Sequence, residues 1–317
     1  MTWSPSVTLV PTQQCFNACS YCSFRRPLGE GEWLDDVRAA QQLGDRPQAL
    51  EVLLLSGEVA PAAPQRQAWF GRLQALSRLA LRHGRLPHTN AGPLFRHEMA
   101  ALGRLNPSMG LMLEGLGPVY DRAHRLAPSK TLLQRLGQLE QAGRLGIPFT
   151  TGLLLGMGES LAQRRQALEL LGLLHQQWGH IQEVILQPWR PQGDCPGGLL
   201  GDRQVQEMLQ TIAEARAILP PEVHLQLPPN LWPREHLVAA LEAGIDDLGG
   251  IDVADVINPQ ASQPHPQELA AWLQQRGWRL IPRLCVHDRW LAGLPKTLRL
   301  RALALRQTLA AAADQAC

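Results

Sequence analysis

Short apolar runs rich in Val, Ile and Leu alternate with longer stretches of helical periodicity along the whole 317-residue chain. This alternation is what most restricts the fold. Strands are predicted at 7–12, 50–56, 86–91, 109–114, 149–155, 183–188, 223–228 and 246–251, with helices at 32–43, 64–84, 95–104, 131–145, 160–178, 203–217, 234–243 and 266–277. Strand and helix in strict turn imply a parallel sheet. Eight such units predict an α/β fold, a closed TIM-type (β/α)8 barrel; a partial (β/α)6 barrel with a C-terminal extension is the alternative. Within 131–145, Leu132, Leu133, Leu136, Leu139 and Ala142 recur at spacings of three and four and predict one apolar face. The tail from Leu294 to Ala313 carries Leu298, Leu300, Leu303, Leu305 and Leu309 and predicts a helix that closes the barrel. No linker or repeat interrupts the chain, so 1–317 reads as a single domain with 282–317 as its closing segment, and the Pro- and Gly-rich stretches 189–198 and 258–266 read as loops.

Composition narrows the function. Lys and Arg total 30 against 28 Asp and Glu, a net charge of +2, so neither nucleic acid nor an anionic membrane is an expected partner. No run approaches the roughly 20 apolar residues of a membrane span, and MTWSPSVTLV has no basic region before an apolar stretch, so no secretory signal is expected. Clustering of the cysteines argues against a disulfide scaffold and for a reducing cytoplasm.

In a parallel barrel the working face is the C-terminal ends of the strands, and here those ends carry polar groups all the way round. Cys15 to Cys22 follow the first strand, and Ser56, Gly57 and Glu58 end the second. His88, Thr89 and Asn90 belong to the third, and Glu114 ends the fourth. Gly152 and Gly156 flank the fifth, Gln187 ends the sixth, Asn230 follows the seventh and Asp252 the eighth. Such a set predicts one shared pocket. Cys15, Cys19 and Cys22 form C-x3-C-x2-C. Three thiolates in one short loop can hold a [4Fe–4S] cluster and leave one iron without a protein ligand. A zinc knuckle is the alternative, but structural zinc usually takes four ligands, often as two pairs. There is no second C-x2-C pair, and Cys195, Cys285 and Cys317 lie far apart. Glu114 ends an otherwise apolar strand, where a carboxylate requires a partner. Gly152-x3-Gly156-x2-Glu159 is not a phosphate loop, lacking both GK[ST] and G-x-G-x-x-G.

The cysteine spacing, with Tyr21 before the last cysteine, resembles the signature of radical S-adenosylmethionine (SAM) enzymes. Ser56-Gly57-Glu58 resembles the motif of these barrels whose backbone meets the methionine ammonium, and the Gly152–Glu159 string resembles their fifth-strand motif near adenine. The resemblance implies a [4Fe–4S] cluster on Cys15, Cys19 and Cys22. It implies S-adenosyl-L-methionine contacts from Tyr21, Ser56, Gly57, Glu58, Glu114, Gly152 and Gly156, with Arg135 pairing the SAM carboxylate. The strings CFNACSYCSFRRPLGEGE, LLLSGEV, LPHTNAGPL, SMGLMLE, APSK, QLEQAGRLGIPFTTGLLLGMGE, QEVILQP, LPPNLWP and DLGGI together are similar to subunit 1 of 7,8-didemethyl-8-hydroxy-5-deazariboflavin (FO) synthase, from about residue 7 to about residue 285.

That likeness implies an ammonia-releasing radical SAM lyase of coenzyme F-420 biosynthesis. Its substrate would be the hydroxybenzyl adduct of 5-amino-6-ribitylaminouracil, made by a companion radical SAM protein, FO synthase subunit 2. A low-potential donor such as ferredoxin or flavodoxin would supply electrons. Barrel geometry then offers His88, Thr89, Asn90, Gln187, Asn230 and Asp252 as substrate-binding groups; no catalytic proton-transfer residue is assigned, and His124 and His265 receive no role. QPWRPQGDCP and INPQASQPHP depart from the family's loops, so no contact is assigned in 189–196 or 258–266. Another radical SAM barrel, similar to biotin synthase or futalosine cyclase, is the nearest alternative, and a non-catalytic iron–sulfur or zinc module the more distant one.

Overall fold

The structure is a computed structural model that describes residues 1–190 and 200–315, with side chains described to 310. Eight parallel strands close on themselves: β1 (Thr2–Leu9), β2 (Glu51–Leu55), β3 (Leu86–Asn90), β4 (Ser108–Gly110), β5 (Phe149–Leu155), β6 (Ile181–Pro188), β7 (His224–Gln226) and β8 (Asp247–Ile251). Closure is explicit, because β1 pairs with β2 (Val7↔Val52) and also with β8 (Pro5↔Ile251). The full barrel, not the six-strand alternative, is therefore the fold. Around it run α1 (Asp36–Gly44), α2 (Arg66–Arg82), α3 (Arg96–Gly103), α4 (Pro118–Ala123), α5 (Leu132–Arg144), α6 (Leu161–Trp178), α7 (Asp202–Ile218), α8 (Leu237–Ala243) and α9 (Pro266–Gln274).

Local chemistry explains these boundaries. Ser160 opens α6 with a capping box, its hydroxyl accepting from the Gln163 N–H, and Gly179 ends the helix in a left-handed turn at φ 62°. Every residue of β5 is buried, as a strand covered on both faces requires. The inward face of α5 differs from the expected leucine stripe. Leu132 and Leu133 are exposed, whereas Arg135, Gln138, Leu139 and Ala142 are buried. The helix is rotated so that the Arg135 guanidinium enters the barrel mouth.

The first strand starts five residues before the apolar run at 7–12. Ser4 and Ser6 are buried there because the lower barrel is polar. A short strand β9 (Ile281–Pro282) pairs with the start of β1, and the chain after it crosses the barrel floor. Cys285 O accepts from Ser108 Oγ (2.8 Å) and Gln182 Nε2 (2.9 Å), while Arg283 pairs with Asp247 (2.5 Å) and Glu183 (2.6 Å). Helix α10 (Lys296–Gln315) packs Leu298 and Ala302 with Leu86, Leu284, Leu291 and Leu294, sealing this end. No helix among the described residues is long and apolar enough to cross a membrane.

Candidate active site

At the opposite end, a cavity of about 340 Å³ opens on the C-terminal ends of the strands. Its wall includes Cys15, Cys19 and Cys22, whose loop is tied at its base by two hydrogen bonds, Cys15 N–H to Arg26 O (3.1 Å) and Arg26 N–H to Gln13 O (2.8 Å). Three more backbone bonds dock the loop: Phe16 N–H to Glu58 O (3.0 Å), Ala18 N–H to Leu126 O (2.7 Å) and Ser20 N–H to Ala123 O (3.0 Å). Gly57 is required where the loop meets the end of β2, since a Cβ there would overlap the Gln14 carbonyl. The Cys15 sulfur accepts from the Glu58 backbone N–H at 3.3 Å and faces the Asn17 amide at 3.8 Å.

All three cysteines are free and half-buried. Burial pushes the Cys19 thiol up to about 11, and burial followed by the Glu58 charge raises Cys15; both are protonated thiols near neutral pH and would release protons on binding metal. Their spread suits a cluster better than one ion. Among the described residues, the three-ligand group whose atoms all lie within 4.8 Å of one another is Glu183, Asp247 and His287 on the barrel floor, not the cysteines. A tetrahedral zinc with bonds of about 2.3 Å would hold its sulfurs only about 3.8 Å apart. The donor set, three thiols on one loop with no fourth cysteine at the cavity among the described residues, fits a cluster with one iron left open.

Facing the cysteines is a cradle of two carboxylates and two cations. Glu58 pairs with Arg135 Nη2 at 2.8 Å, accepts from the Asn17 amide at 2.9 Å and is bonded by Ser129 Oγ. Glu114 is bonded by Lys130, by the Tyr21 hydroxyl and by His124 Nε2 (2.9 Å). Burial alone would raise both carboxyls, but their partners outweigh it, the Arg135 and Lys130 charges for Glu58 and the Lys130 charge, the His124 hydrogen bond and the Arg135 charge for Glu114, and hold both below the usual carboxylate range. Burial, then the Glu114 charge, drives the Tyr21 hydroxyl far above its ordinary value, so it stays a donor. Glu114 is the one non-glycine with positive φ (75°) among the described residues. Its backbone remains tied to β5 through Gly152 O (2.9 Å) and the Leu154 N–H (2.7 Å). Such a conformation costs roughly 1–3 kcal/mol and persists where the surroundings fix it.

Of the expected site residues, Tyr21, Ser56, Gly57, Glu58, Asn90, Glu114, Arg135 and Gln187 line this cavity with the three cysteines. Ser56 lends its hydroxyl to packing, accepting from Trp69 Nε1 at 3.0 Å. Gly156 sits at the end of β5 with φ 97°, and Gly152 is a packing glycine, since a Cβ would overlap Ile185 O.

Four expected substrate groups lie elsewhere. Thr89 points outward to Asn106 (2.8 Å), as strand alternation requires once Asn90 faces in. His88 faces the interior but bonds Ser108 (2.7 Å), which belongs to the floor, and burial, then Arg283, lowers it to about 3, leaving a neutral imidazole. Asn230 donates to Asp255 (2.9 Å), and Asp252 accepts from the Thr8 N–H (2.8 Å) and pairs with Arg46 (3.4 Å). Both are consumed in loop structure. Asn17, His124, Ser129 and Lys130 were not anticipated; the APSK string was the only signal for the last two. The 191–196 part of the divergent loop, with Cys195, and also Cys317, lie outside the described residues.

Comparisons with known proteins agree with this geometry. Residues 9–171 match the model of the radical SAM superfamily, and the three-cysteine barrel mouth makes the chain a radical SAM barrel protein. Its fold is shared with the FeFe-hydrogenase maturase of Carboxydothermus hydrogenoformans (TM-score 0.69, 20% identity, 90% of this chain and 68% of that one) and with methylornithine synthase (TM-score 0.64, 15% identity, 87% and 83%). In sequence it is 48% identical over 303 residues to 7,8-didemethyl-8-hydroxy-5-deazariboflavin synthase of Thermosynechococcus vestitus, covering 94% of this chain and 96% of that one. It is 50% identical over 304 residues to the synthase of Synechococcus elongatus, covering 94% and 90%. The chain belongs to the 7,8-didemethyl-8-hydroxy-5-deazariboflavin synthase family. The cofactors of its superfamily, a [4Fe–4S] cluster and SAM, follow from that membership.

Proposed function

We propose that this protein is the ring-closing enzyme of deazaflavin formation, converting the hydroxybenzyl adduct of 5-amino-6-ribitylaminouracil to FO with loss of ammonia. The observation that carries the reading is the three-thiol loop and charged cradle sharing one cavity in a chain 48% identical to an FO synthase over 94% of its length. When bound, the cluster and SAM would supply radical chemistry at this cavity, the removal of a hydrogen atom from the substrate.

The protein's own groups bind and orient. Cys15, Cys19 and Cys22 ligate the cluster. The Glu58 and Glu114 carboxylates receive the methionine ammonium, with the Gly57 backbone close by, and Arg135 and Lys130 are the cations available to its carboxylate. Such binding would exchange the internal ion pairs for pairs with SAM, so the buried charges stay balanced. Tyr21, on the cavity wall, would meet the nucleoside end, with Gly156 beyond the lining at the end of β5. Asn90 and Gln187, inward-facing on β3 and β6, are left to hydrogen-bond the substrate. FO synthase subunit 2 would deliver the adduct, and a low-potential ferredoxin or flavodoxin in a reducing cytoplasm would supply electrons.

The test is anaerobic incubation of reconstituted protein with SAM, a reductant and the adduct, followed by fluorescence and mass detection of FO. Deazaflavin with 5′-deoxyadenosine supports the reading. Deoxyadenosine without deazaflavin would assign the chain a different substrate, and no SAM cleavage would remove the enzymatic reading altogether.

A further inference from the structure

Three N–H donors on the cavity lining have no acceptor among the described residues. Arg25 Nε, Trp189 Nε1 and Arg190 Nε are buried and unpartnered among the described residues, and all three side chains line the cavity. The two carboxylates among the described lining residues are already taken by Arg135 and Lys130, so among the described residues neither Arg25 nor Arg190 has a countercharge there. Among the described residues Arg190 makes one hydrogen bond, from Nη2 to Asn230 O at 3.3 Å. Burying unpaired donors is costly, and a row of them on a cavity wall marks where a ligand supplies acceptors.

The position of this row separates it from the cradle. Glu58 and Glu114 follow β2 and β4, Lys130 precedes α5 and Arg135 lies in its first turn. Arg25 comes from the loop after β1, and Trp189 and Arg190 extend β6, where the Trp189 N–H bonds Leu155 O at 2.7 Å. Ser23 Oγ donates to Ile257 O at 2.8 Å, bringing the loop after β8, with Asn258, to the same side. Asn258, also on the cavity lining, donates Nδ2 to Asp255 (3.1 Å), and among the described residues no hydrogen bond is made by its Oδ1, which is an acceptor. A pyrimidinedione edge presents carbonyl, N–H and carbonyl in sequence. Donor, acceptor and donor are its complement, whereas ribityl hydroxyls both give and accept and need no donor-only wall.

Resting on the reading above, we propose that Arg25, Trp189 and Arg190 bind the ring carbonyl oxygens of the substrate's pyrimidinedione while Asn258 takes the intervening N–H, and that this rim selects the heterocycle.

The test is steady-state kinetics of the holoenzyme with the adduct, with 5,6-diaminouracil, the ring without its side arms, as a competitive probe. Arg25→Gln and Arg190→Gln are expected to raise KM for the adduct roughly ten- to hundredfold at similar kcat, and the inhibition constant of the probe by the same factor. Trp189→Phe removes the indole N–H with a modest loss of ring bulk, and its melting temperature, read beside the kinetics, separates lost packing from the lost hydrogen bond; roughly two- to tenfold in KM at a near-wild-type melting temperature is expected. Wild-type KM in all three variants, or a raised KM with the probe bound as in the wild type, overturns the inference. Wild-type protein that makes no deazaflavin would instead mark failure of the underlying reading.

Discussion

Replacing Arg135 by Met tests whether the cradle is assembled before any ligand arrives. Arg135 is 2% exposed and Glu58 8%, and their 2.8 Å pair sits where neither can be rescued by bulk water. Removing one partner of a buried pair typically costs about 3–5 kcal/mol, because the remaining charge is left without its counterion. Glu58 keeps the Asn17 amide and Ser129, which places the expected loss at the lower end. With an unfolding entropy of roughly 2.1 cal/mol/K per residue, a chain of 317 residues loses about 4–5 °C for a 3 kcal/mol loss. Calorimetry of the metal-free protein at neutral pH reads this directly. The companion Glu58→Gln and the double variant complete a cycle, in which the double variant should be less destabilised than the two singles added together, by about 1–3 kcal/mol. A wild-type melting temperature in Arg135→Met with additive singles would refute the argument, since the pair would then contribute nothing in the free protein.

Three other outcomes follow. Cys15→Ala, Cys19→Ala and Cys22→Ala should each lose SAM cleavage and most of the bound iron, whereas Cys285→Ala, buried on the floor, should keep both; iron analysis and deoxyadenosine assays distinguish them. Gly57→Ala should fold yet incorporate little iron, because its Cβ meets the Gln14 backbone and displaces the cysteine loop; near-wild-type iron content would show that the loop tolerates the displacement. On the floor, burial raises Glu183 from its ordinary 4.5 to about 8, with Arg283 already engaged by Asp247. A raised carboxyl favours folding most at low pH and loses that contribution as pH rises through the folded value. Glu183→Gln, neutral throughout, should therefore gain stability relative to wild type between about pH 5 and about pH 9, and a difference in melting temperature that does not change with pH would contradict this.

How much of this was legible in the chain depends on what each residue touches. The strand–helix alternation gave the closed barrel, because parallel strands buried on both faces leave near-continuous apolar runs such as Phe149–Leu155. The short helix Pro118–Ala123 was not anticipated, being an insertion of one and a half turns in a loop. The start of β1 was hidden because Ser4 and Ser6 make a polar strand inside a polar floor. Within the site, cysteines and carboxylates at strand tips were readable because their chemistry is conspicuous and their places follow from the barrel. Thr89 and His88 were misplaced because strand alternation and depth decide which neighbour of Asn90 meets the cavity. Lys130, His124, Ser129 and Asn17 matter only through contacts made across the mouth, such as Asn17 to Ser129 at 2.7 Å over 112 residues, and no local pattern reports such a meeting. The inward rotation of α5 belongs to the same class: a leucine stripe competed with an ion pair, and the ion pair took Arg135 inside.

The central claim is that three thiols at this barrel mouth hold a four-iron cluster with one iron open. Its most direct measurement is iron and acid-labile sulfide on anaerobically reconstituted protein, with the electron paramagnetic resonance of the reduced sample recorded before and after adding SAM. About four of each per chain and a spectrum that changes with SAM are expected. One zinc without sulfide, or a cluster whose spectrum ignores SAM, would contradict it.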